Sequence, residues 1–382
     1  MSWKKAKLSE CCQSISDGDH QAPPKSNKGI PFVTISNIKD NSFDFTNCMH
    51  VPQSYYDNLL AKRKPQKGDI LYSVVGSFGI PVLIKENVKF TFQRHIAILR
   101  PNPHIVEPAY MYYSMLSKAF FLQADAAAIG AAQRTISLSS LQNLTINLPD
   151  LPTQRRIASI LSAYDDLIEN NRRQIKLLEE AAQRLYREWF VELRFPGHES
   201  VKVVDGVPEG WMKVCLKDIC ETKTGKKDAN FGCDDGAYPF FTCAQAPIKA
   251  PSYSFDCSAV ILAGNGDFNV KLYRGKFEAY QRTYVLSPAN TEYLFLLYNA
   301  VSRNMNVLTK GASGSTIKFL TKGMIDSIEL LIPSSQLLTT YNQNSEALQK
   351  SIEALHRKVA LAVEARDRLL PKLINHEMEV ML

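Results

Sequence analysis

LPTQRRIASILSAYDDLIENNRRQIKLLEEAAQRLYREWFVELRFPG, residues 151–197, is the stretch that decides the fold. From Pro152 to Glu192 it holds no glycine and no further proline. Its apolar residues fall at Ile157, Leu161, Tyr164, Ile168, Ile175, Leu178, Ala182, Leu185 and Trp189, in alternating steps of four and three, with Asn171 the one polar member. That spacing predicts a long helix with a narrow heptad seam, and Pro152 stands where a first-turn proline is tolerated. A helix of about 39 residues is roughly 58 Å long at ~1.5 Å per residue, too long to stand alone. The narrow stripe calls for a helical partner, although packing on a neighbouring domain would also cover it. Asn171 either fixes the register of a buried seam or lies partly solvated beside a frayed one.

The partner is in the same chain. Adding 184 to each seam position gives Tyr341, Ser345, Leu348, Ile352, Leu355, Val359, Ala362, Arg366, Leu369 and Leu373, a second and mostly apolar stripe that Pro371 is expected to end or kink. The globular stretches repeat too. Trp3, Leu8, Cys12, Pro31, Phe32 and Thr34 meet Trp211, Leu216, Cys220, Pro239, Phe240 and Thr242, each 208 positions later. Ile146, Leu148 and Pro149 meet Leu330, Ile332 and Pro333 at 184. The chain therefore says one thing twice, which implies internal pseudo-twofold symmetry. Two helices that pack antiparallel under that symmetry would set their domains more than one DNA turn, ~34 Å, apart.

Each copy reads as α+β. Ile30–Ile35, Asp69–Val75 and His95–Leu99 are β-branched or aromatic runs punctuated by Gly or Pro, and one helix is predicted from Pro108 to Leu122. The second copy repeats this with strands at Tyr238–Thr242, Ala259–Leu262 and Thr283–Leu286 and a helix at Glu292–Arg303.

Composition bounds the function. A chain of 382 residues with 45% apolar content suits two to four units, each with a core. No apolar run approaches the ~20 residues of a membrane span, and no signal core follows Met1, so a cytoplasmic protein is expected. Its eight cysteines form no CxxC pair, and the adjacent Cys11 and Cys12 read as packing residues ahead of a redox centre. The net charge of +7 is uneven: +5 over residues 1–152 (16 basic, 11 acidic), +1 over 153–194, +1 over 195–334 and zero beyond. That balance permits nucleic-acid binding without demanding it.

With these residues in view, the chain resembles the specificity (S) subunits of Type I restriction-modification systems. Residues 151–197 and VPEGWMKVCLKDI (207–219) look like the central region of that family and the start of its second domain. SWKKAKLSECC (2–12), DILYSVVGSFGIP (69–81) and GAAQRTISLSSLQNLTINLP (130–149) resemble recurrent pieces of its domains, so the likeness covers the whole chain. It implies target recognition domains at 1–150 and 194–333, with helical spacers at 151–193 and 334–382. Each domain would read half of a bipartite site on double-stranded DNA, and the antiparallel coiled coil would set the spacing. The chain itself would be non-catalytic and bind no cofactor. S-adenosylmethionine would belong to two modification subunits that methylate adenine N6, and ATP and magnesium to the restriction subunits.

DNA readers need Lys and Arg for phosphates and forked or planar groups for base edges. In the first domain the candidates are Ser73, Gly76, Ser77 and Phe78, then Gln93, Arg94 and His95, then Gln133 and Arg134. In the second they are Asn265, Gly266 and Phe268, then Gln281 and Arg282, then Ser315, Thr316 and Lys318, with Lys223, Lys226 and Lys227 as a backbone-tracking cluster. Gln-Arg recurs at 93–94 and 281–282 before a predicted strand. It either reads bases or caps that strand. Exposed Arg172, Arg173, Lys176, Glu179, Glu180 and Trp189 are candidate docking positions, or simply a solvated face. No GxGxxG, Walker or Asn/Asp-Pro-Pro-Tyr/Phe pattern is present, and the seven histidines lack metal-ligand spacing. A fused methyltransferase and nuclease is excluded for this chain; a scaffold whose coiled coil merely joins two domains would also explain the repeat and the heptads without DNA contact, and the DNA-reading subunit is the favoured reading.

Overall fold

The computed structural model describes residues 3–130, 134–312 and 318–380, and it divides into two compact units: 1–171 with 358–382, and 172–357. In the first unit, β1 (Cys12–Asp17), β2 (Ile30–Val33), β3 (Ile70–Ser73), β4 (Pro81–Leu83), β5 (Thr91–Phe92) and β6 (Ile96–Pro101) carry the domain. One antiparallel sheet has the order β1-β6-β3-β4, and β2 pairs in parallel with β5 in a second. The helix expected at Pro108–Leu122 is two, α1 (Pro108–Leu116) and α2 (Lys118–Ala127). Ser117 is the cause: its backbone is extended, and its hydroxyl accepts from Phe120 N (3.2 Å), an N-cap that starts a new helix.

The second unit follows the same plan with a larger sheet. β7 (Cys220–Thr224), β8 (Tyr238–Phe241), β9 (Phe255–Ala263), β10 (Val270–Ala279) and β11 (Thr283–Pro288) order as β7-β11-β9-β10-β8, with Ile248–Ala250 at the edge. β10 is a strand beyond those expected from the sequence, because its charged, glycine-containing run VKLYRGKFEA lacks a clean alternation. The predicted helix is α4 once the two long helices are counted in chain order, after α3 (Leu151–Phe190); it spans Leu294–Gly311, and the last, α5, spans Ser335–Ile374. In each domain the entering strand pairs antiparallel with the strand before a long helix: Lys4–Lys7 with Thr145–Leu148, and Met212–Cys215 with Glu329–Ile332.

α3 and α5 are both 40 residues long, and their ends lie 184 positions apart. Every one of the ten seam positions predicted in α5 is buried or half-buried. Within the first unit, Ile157 and Leu161 share a core with Leu373 and Ile374, while Asp165 meets Arg366 at 2.7 Å. Within the second, Tyr341 meets Trp189 in a tilted contact at 5.8 Å and Phe190 edge-on at 4.8 Å, so Trp189 is buried and not an exposed docking position, and Glu179 lines the same groove as Ile352. In both units the helical segments therefore run antiparallel. The charge on the seam is also explained, since Asp165 holds Arg366 and accepts from Tyr113 Oη (2.7 Å).

Pro371 does not end α5, which continues to Ile374. The ring removes one hydrogen bond in the last turn, and Leu373 and Ile374 hold that turn by burial in the first core. Asn147 Nδ2 also donates to Ile374 O, and His376 stacks on Trp3 at 4.5 Å. Cys11 is fully buried and its thiol is pushed up to about 11 by burial and then by Glu10, as expected of a packing residue. Among the described residues no helix is long and apolar enough to cross a membrane.

Asn171 is buried, and its Nδ2 has no hydrogen-bond partner among the described residues. Burial rules out the solvated alternative. An unpaired buried amide costs about 1–3 kcal/mol, and the matching position in α5 is Leu355. Asn171→Leu is accordingly expected to stabilise the chain by about 1 kcal/mol in urea unfolding. A loss of stability would contradict this reading of the seam.

Candidate nucleic-acid interface

In each domain the same turns converge beside the ends of the equivalent strands β3/β9 and β6/β11. In the first unit Val74 N donates to His95 O (2.9 Å), Ile136 N to Val74 O (2.9 Å) and Gly76 N to Arg134 O (3.0 Å). In the second, Gly264 N donates to Arg282 O (2.8 Å) and Leu320 N to Gly264 O (2.8 Å). The turns after β3 and β9 share their geometry, with φ of 71° at Gly76 and 66° at Gly266, a region that favours glycine.

These hydrogen bonds fix which residues correspond. Gly18 N donates to Ile96 O and Gly225 N to Thr283 O. A Cβ on Gly18 would lie 2.2 Å from Phe92 O, and one on Gly225 would lie 1.9 Å from Ala279 O. Phe92 thus matches Ala279, and counting forward sets Gln93 opposite Tyr280, Arg94 opposite Gln281, and His95 opposite Arg282. The recurring Gln-Arg pair is therefore one residue out of register, since backbone pairing and not side-chain identity aligns the two copies. The same frame sets Asp19 opposite Lys227: Arg94 N donates to Asp19 O, and Gln281 N to Lys227 O. The sequence held that signal, because 19 and 227 differ by 208.

The candidates in the first unit separate into two groups. Ser73 is buried and accepts from Ile80 N (2.9 Å), so it shapes the turn and does not reach the surface. Phe78 is half-buried, stacked on Phe121 at 5.8 Å. Arg134 lies 5.6 Å from the Phe78 ring, pairs with Asp125 at 2.9 Å and donates to the Asp125 and Ala128 carbonyls. It ties the turn to the end of α2. Gln93 bonds His95 Nδ1 (2.5 Å), and burial, then the charge of Arg94, keeps the His95 pKa below its ordinary value. Arg94, Gly76 and Ser77 are exposed, and the Arg94 guanidinium makes no hydrogen bond or ion pair among the described residues. Beside it Arg63 reaches Asp17 (3.3 Å) and Asp19 (3.8 Å), and Tyr55 Oη donates to Asp19.

In the second unit the lysine cluster comes apart. Lys223 lies on β7 and pairs with Glu221 at 2.8 Å, whereas Lys226 is exposed and Lys227 sits 4.3 Å from the Phe231 ring. Gln281 donates to Asp228 (2.6 Å); Arg282 and Lys318 are exposed, with no side-chain hydrogen bond or ion pair among the described residues. Asn265 accepts from Cys243 Sγ (2.9 Å), and Phe268 packs against the second core. Residues that sequence reasoning missed complete this turn: Gln245 donates to Asp267 (2.7 Å), Asn269 to Cys243 O (3.0 Å) and Lys271 to Ala244 O (2.9 Å). Gln245 and Asn269 lie in two separate loops and Lys271 at the start of β10, and no local motif joins them. Gln133, Ser315 and Thr316 lie outside the described residues.

The comparisons with known proteins bear on this arrangement. Residues 2–180 and 208–364 match the Type I restriction modification DNA specificity domain, one copy in each half. The chain belongs to this family. The EcoDI specificity subunit of Escherichia coli is 38% identical over 178 residues, which cover 46% of this specificity chain and 38% of that relative. The MjaIX specificity subunit of Methanocaldococcus jannaschii is 24% identical over 341 residues, 82% of this chain and 78% of the relative. In fold, the S subunit of a Type I system from M. genitalium superposes with a TM-score of 0.63 at 18% identity, covering 99% of this chain and 97% of that one.

The geometry separates structural arginine from free arginine. Arg134→Ala is expected to lower the thermal midpoint, with any effect on DNA following from the loosened turn. Arg94→Ala is expected to leave melting unchanged and weaken specific DNA binding about tenfold, the size of one lost base or phosphate contact. Equal melting shifts, or undiminished affinity for Arg94→Ala in a titration, would contradict the assignment.

Proposed function

We propose that this chain reads an asymmetric, bipartite DNA site, one half with each unit, and directs adenine-N6 methylation and restriction there. The observation that carries the reading is a repeated backbone frame with unlike side chains on it. At matched positions the units present Asp19 and Lys227, Arg94 and Gln281, His95 and Arg282. Two equal frames suit two turns of one duplex, whereas unlike groups suit different bases, since Arg favours guanine and Gln adenine in the major groove. Exposed Lys226 and Lys318 would follow phosphates, giving a salt-dependent affinity.

The helices would set the distance between half-sites and dock two modification subunits. Those subunits would supply the methyl group from S-adenosylmethionine, and restriction subunits would use ATP and magnesium, so this chain's own share is recognition and assembly. Expressing the chain with its modification subunit and mapping N6-methyladenine across a genome tests the reading. Methylation at one split, non-palindromic motif is expected, dependent on the chain; methylation that persists without it would overturn the proposal.

Seven residues inserted after Asn171 and at the matched position of α5 keep the seam in phase and add about 10 Å of helix. The mapped spacer should lengthen by about three base pairs at ~3.4 Å each, with both half-sites unchanged. An unchanged spacer in an active complex would remove the helices as the ruler.

A further inference from the structure

Gln245 and Asp267 meet at the tip of the second unit's reading turn, where Gln245 Nε2 donates to Asp267 Oδ2 at 2.7 Å and both residues are exposed. The loop that carries the glutamine is tied to the turn that carries the aspartate. Cys243 Sγ donates to Asn265 Oδ1 (2.9 Å), Asn269 Nδ2 to the Cys243 and Ala244 carbonyls (3.0 and 3.4 Å), and Lys271 Nζ to Ala244 O (2.9 Å). Asn269 Nδ2 also donates to Asp267 O (2.5 Å), so the backbone is held on both sides of the pair. What remains for a ligand is the edge of the amide: its second N–H and its Oε1 have no partner among the described residues.

Folding does not account for the arrangement. An exposed amide–carboxylate pair adds little stability, and the hydrogen bonds behind it hold the loop without it. Nor does the frame common to both units require it. Asn37 stands 208 positions before Gln245, and its amide is spent inside its own turn: Oδ1 accepts from Thr34 N (2.9 Å), and Nδ2 donates to Asp44 O (3.3 Å). Ser77 stands where Asp267 does, at the offset of 190 that joins Gly76 to Gly266. The pair belongs to one reading surface alone.

An ionised carboxylate only accepts hydrogen bonds, so Asp267 keeps the NH2 of Gln245 toward itself and excludes the flipped amide, which would set Oε1 against it. The amide then offers one donor and one acceptor in a fixed order. Adenine presents the complement in the major groove, an acceptor at N7 and a donor at N6, whereas guanine presents acceptors at both N7 and O6. Lys271 is close enough for its charge to act on Asp267, which offsets the repulsion between a carboxylate and phosphates.

We propose that Gln245 reads an adenine in the half-site of the second unit, donating from Nε2 to N7 and accepting at Oε1 from N6, and that Asp267 is the positioning residue that denies this place to guanine. The inference rests on the DNA-reading function proposed above and adds to it one base and the orientation that selects it.

The test uses the full chain with its modification subunit. The site is mapped as N6-methyladenine in cells, and each base pair of the mapped motif is then replaced in duplexes for binding titrations. Wild type is expected to favour A·T over G·C about tenfold or more at one position of one half-site, at an adenine other than the methylated one. Gln245→Ala should bring that ratio close to unity and leave the other half-site and the spacer as they are. Asp267→Asn lets the glutamine amide flip, and should lower the ratio several-fold while affinity for the adenine duplex is retained. Both variants alter exposed side chains, so thermal melting should match wild type. Ratios that Gln245→Ala leaves intact at every position would overturn the inference. So would an Asp267→Asn variant that weakens all duplexes alike, or that changes a cytosine requirement instead. A chain that supports no split motif at all would overturn the functional reading on which the inference rests.

Discussion

Burial of one helical seam against another is the interaction on which the structure depends. Each unit completes its core with segments of both long helices: Leu373 and Ile374 return from the far end of the chain to pack with Ile157 and Leu161, and Tyr341 packs on Trp189, Phe190 and Trp211's neighbourhood. A buried aliphatic or aromatic side chain contributes about 1.5–3 kcal/mol, so these few residues make each domain inseparable from the helix pair beneath it. Matching ends of α3 and α5 let the same closure occur twice, and Asp165 with Arg366 shows a seam that admits charge only when it is paired.

On this frame the two reading surfaces are free to differ. The backbone needs glycine at positions 18 and 225, where a Cβ would strike a carbonyl, and at 76 and 266, where φ is positive. It places no such demand on the side chains beside them. Asp17 and Asp19 engage Arg63 in the first unit, while Arg94 has no ion pair among the described residues; the second unit substitutes Lys227 for Asp19 and presents Arg282 and Lys318. The first domain's larger net charge therefore overstates the positive charge available at its turns.

Helices and repeat were legible because period and offset are properties of residue order. The seam and the length of α3 could be read that way, whereas the paired strands at Lys4–Lys7 with Thr145–Leu148 and Met212–Cys215 with Glu329–Ile332 could not. What could not be read depends on tertiary register. Ser73 sits next to a glycine turn and looks accessible, yet strand β3 is buried on both faces. The contacts of Arg134 are likewise tertiary, since Asp125 and Phe78 hold its guanidinium beside the end of α2. The Gln-Arg echo at 93–94 and 281–282 is no structural match, because backbone hydrogen bonds align the two segments one residue apart. The break at Ser117 was available in principle, since a serine inside an apolar run is a ready N-cap.

The central claim is one frame carrying two independent reading surfaces. Replacing residues 194–333 with the equivalent domain of another specificity subunit, and mapping N6-methyladenine in cells, tests it most directly. The account predicts a motif in which one half changes and the other half, with the spacer, stays as it was. A change in both halves, or in neither, would contradict it.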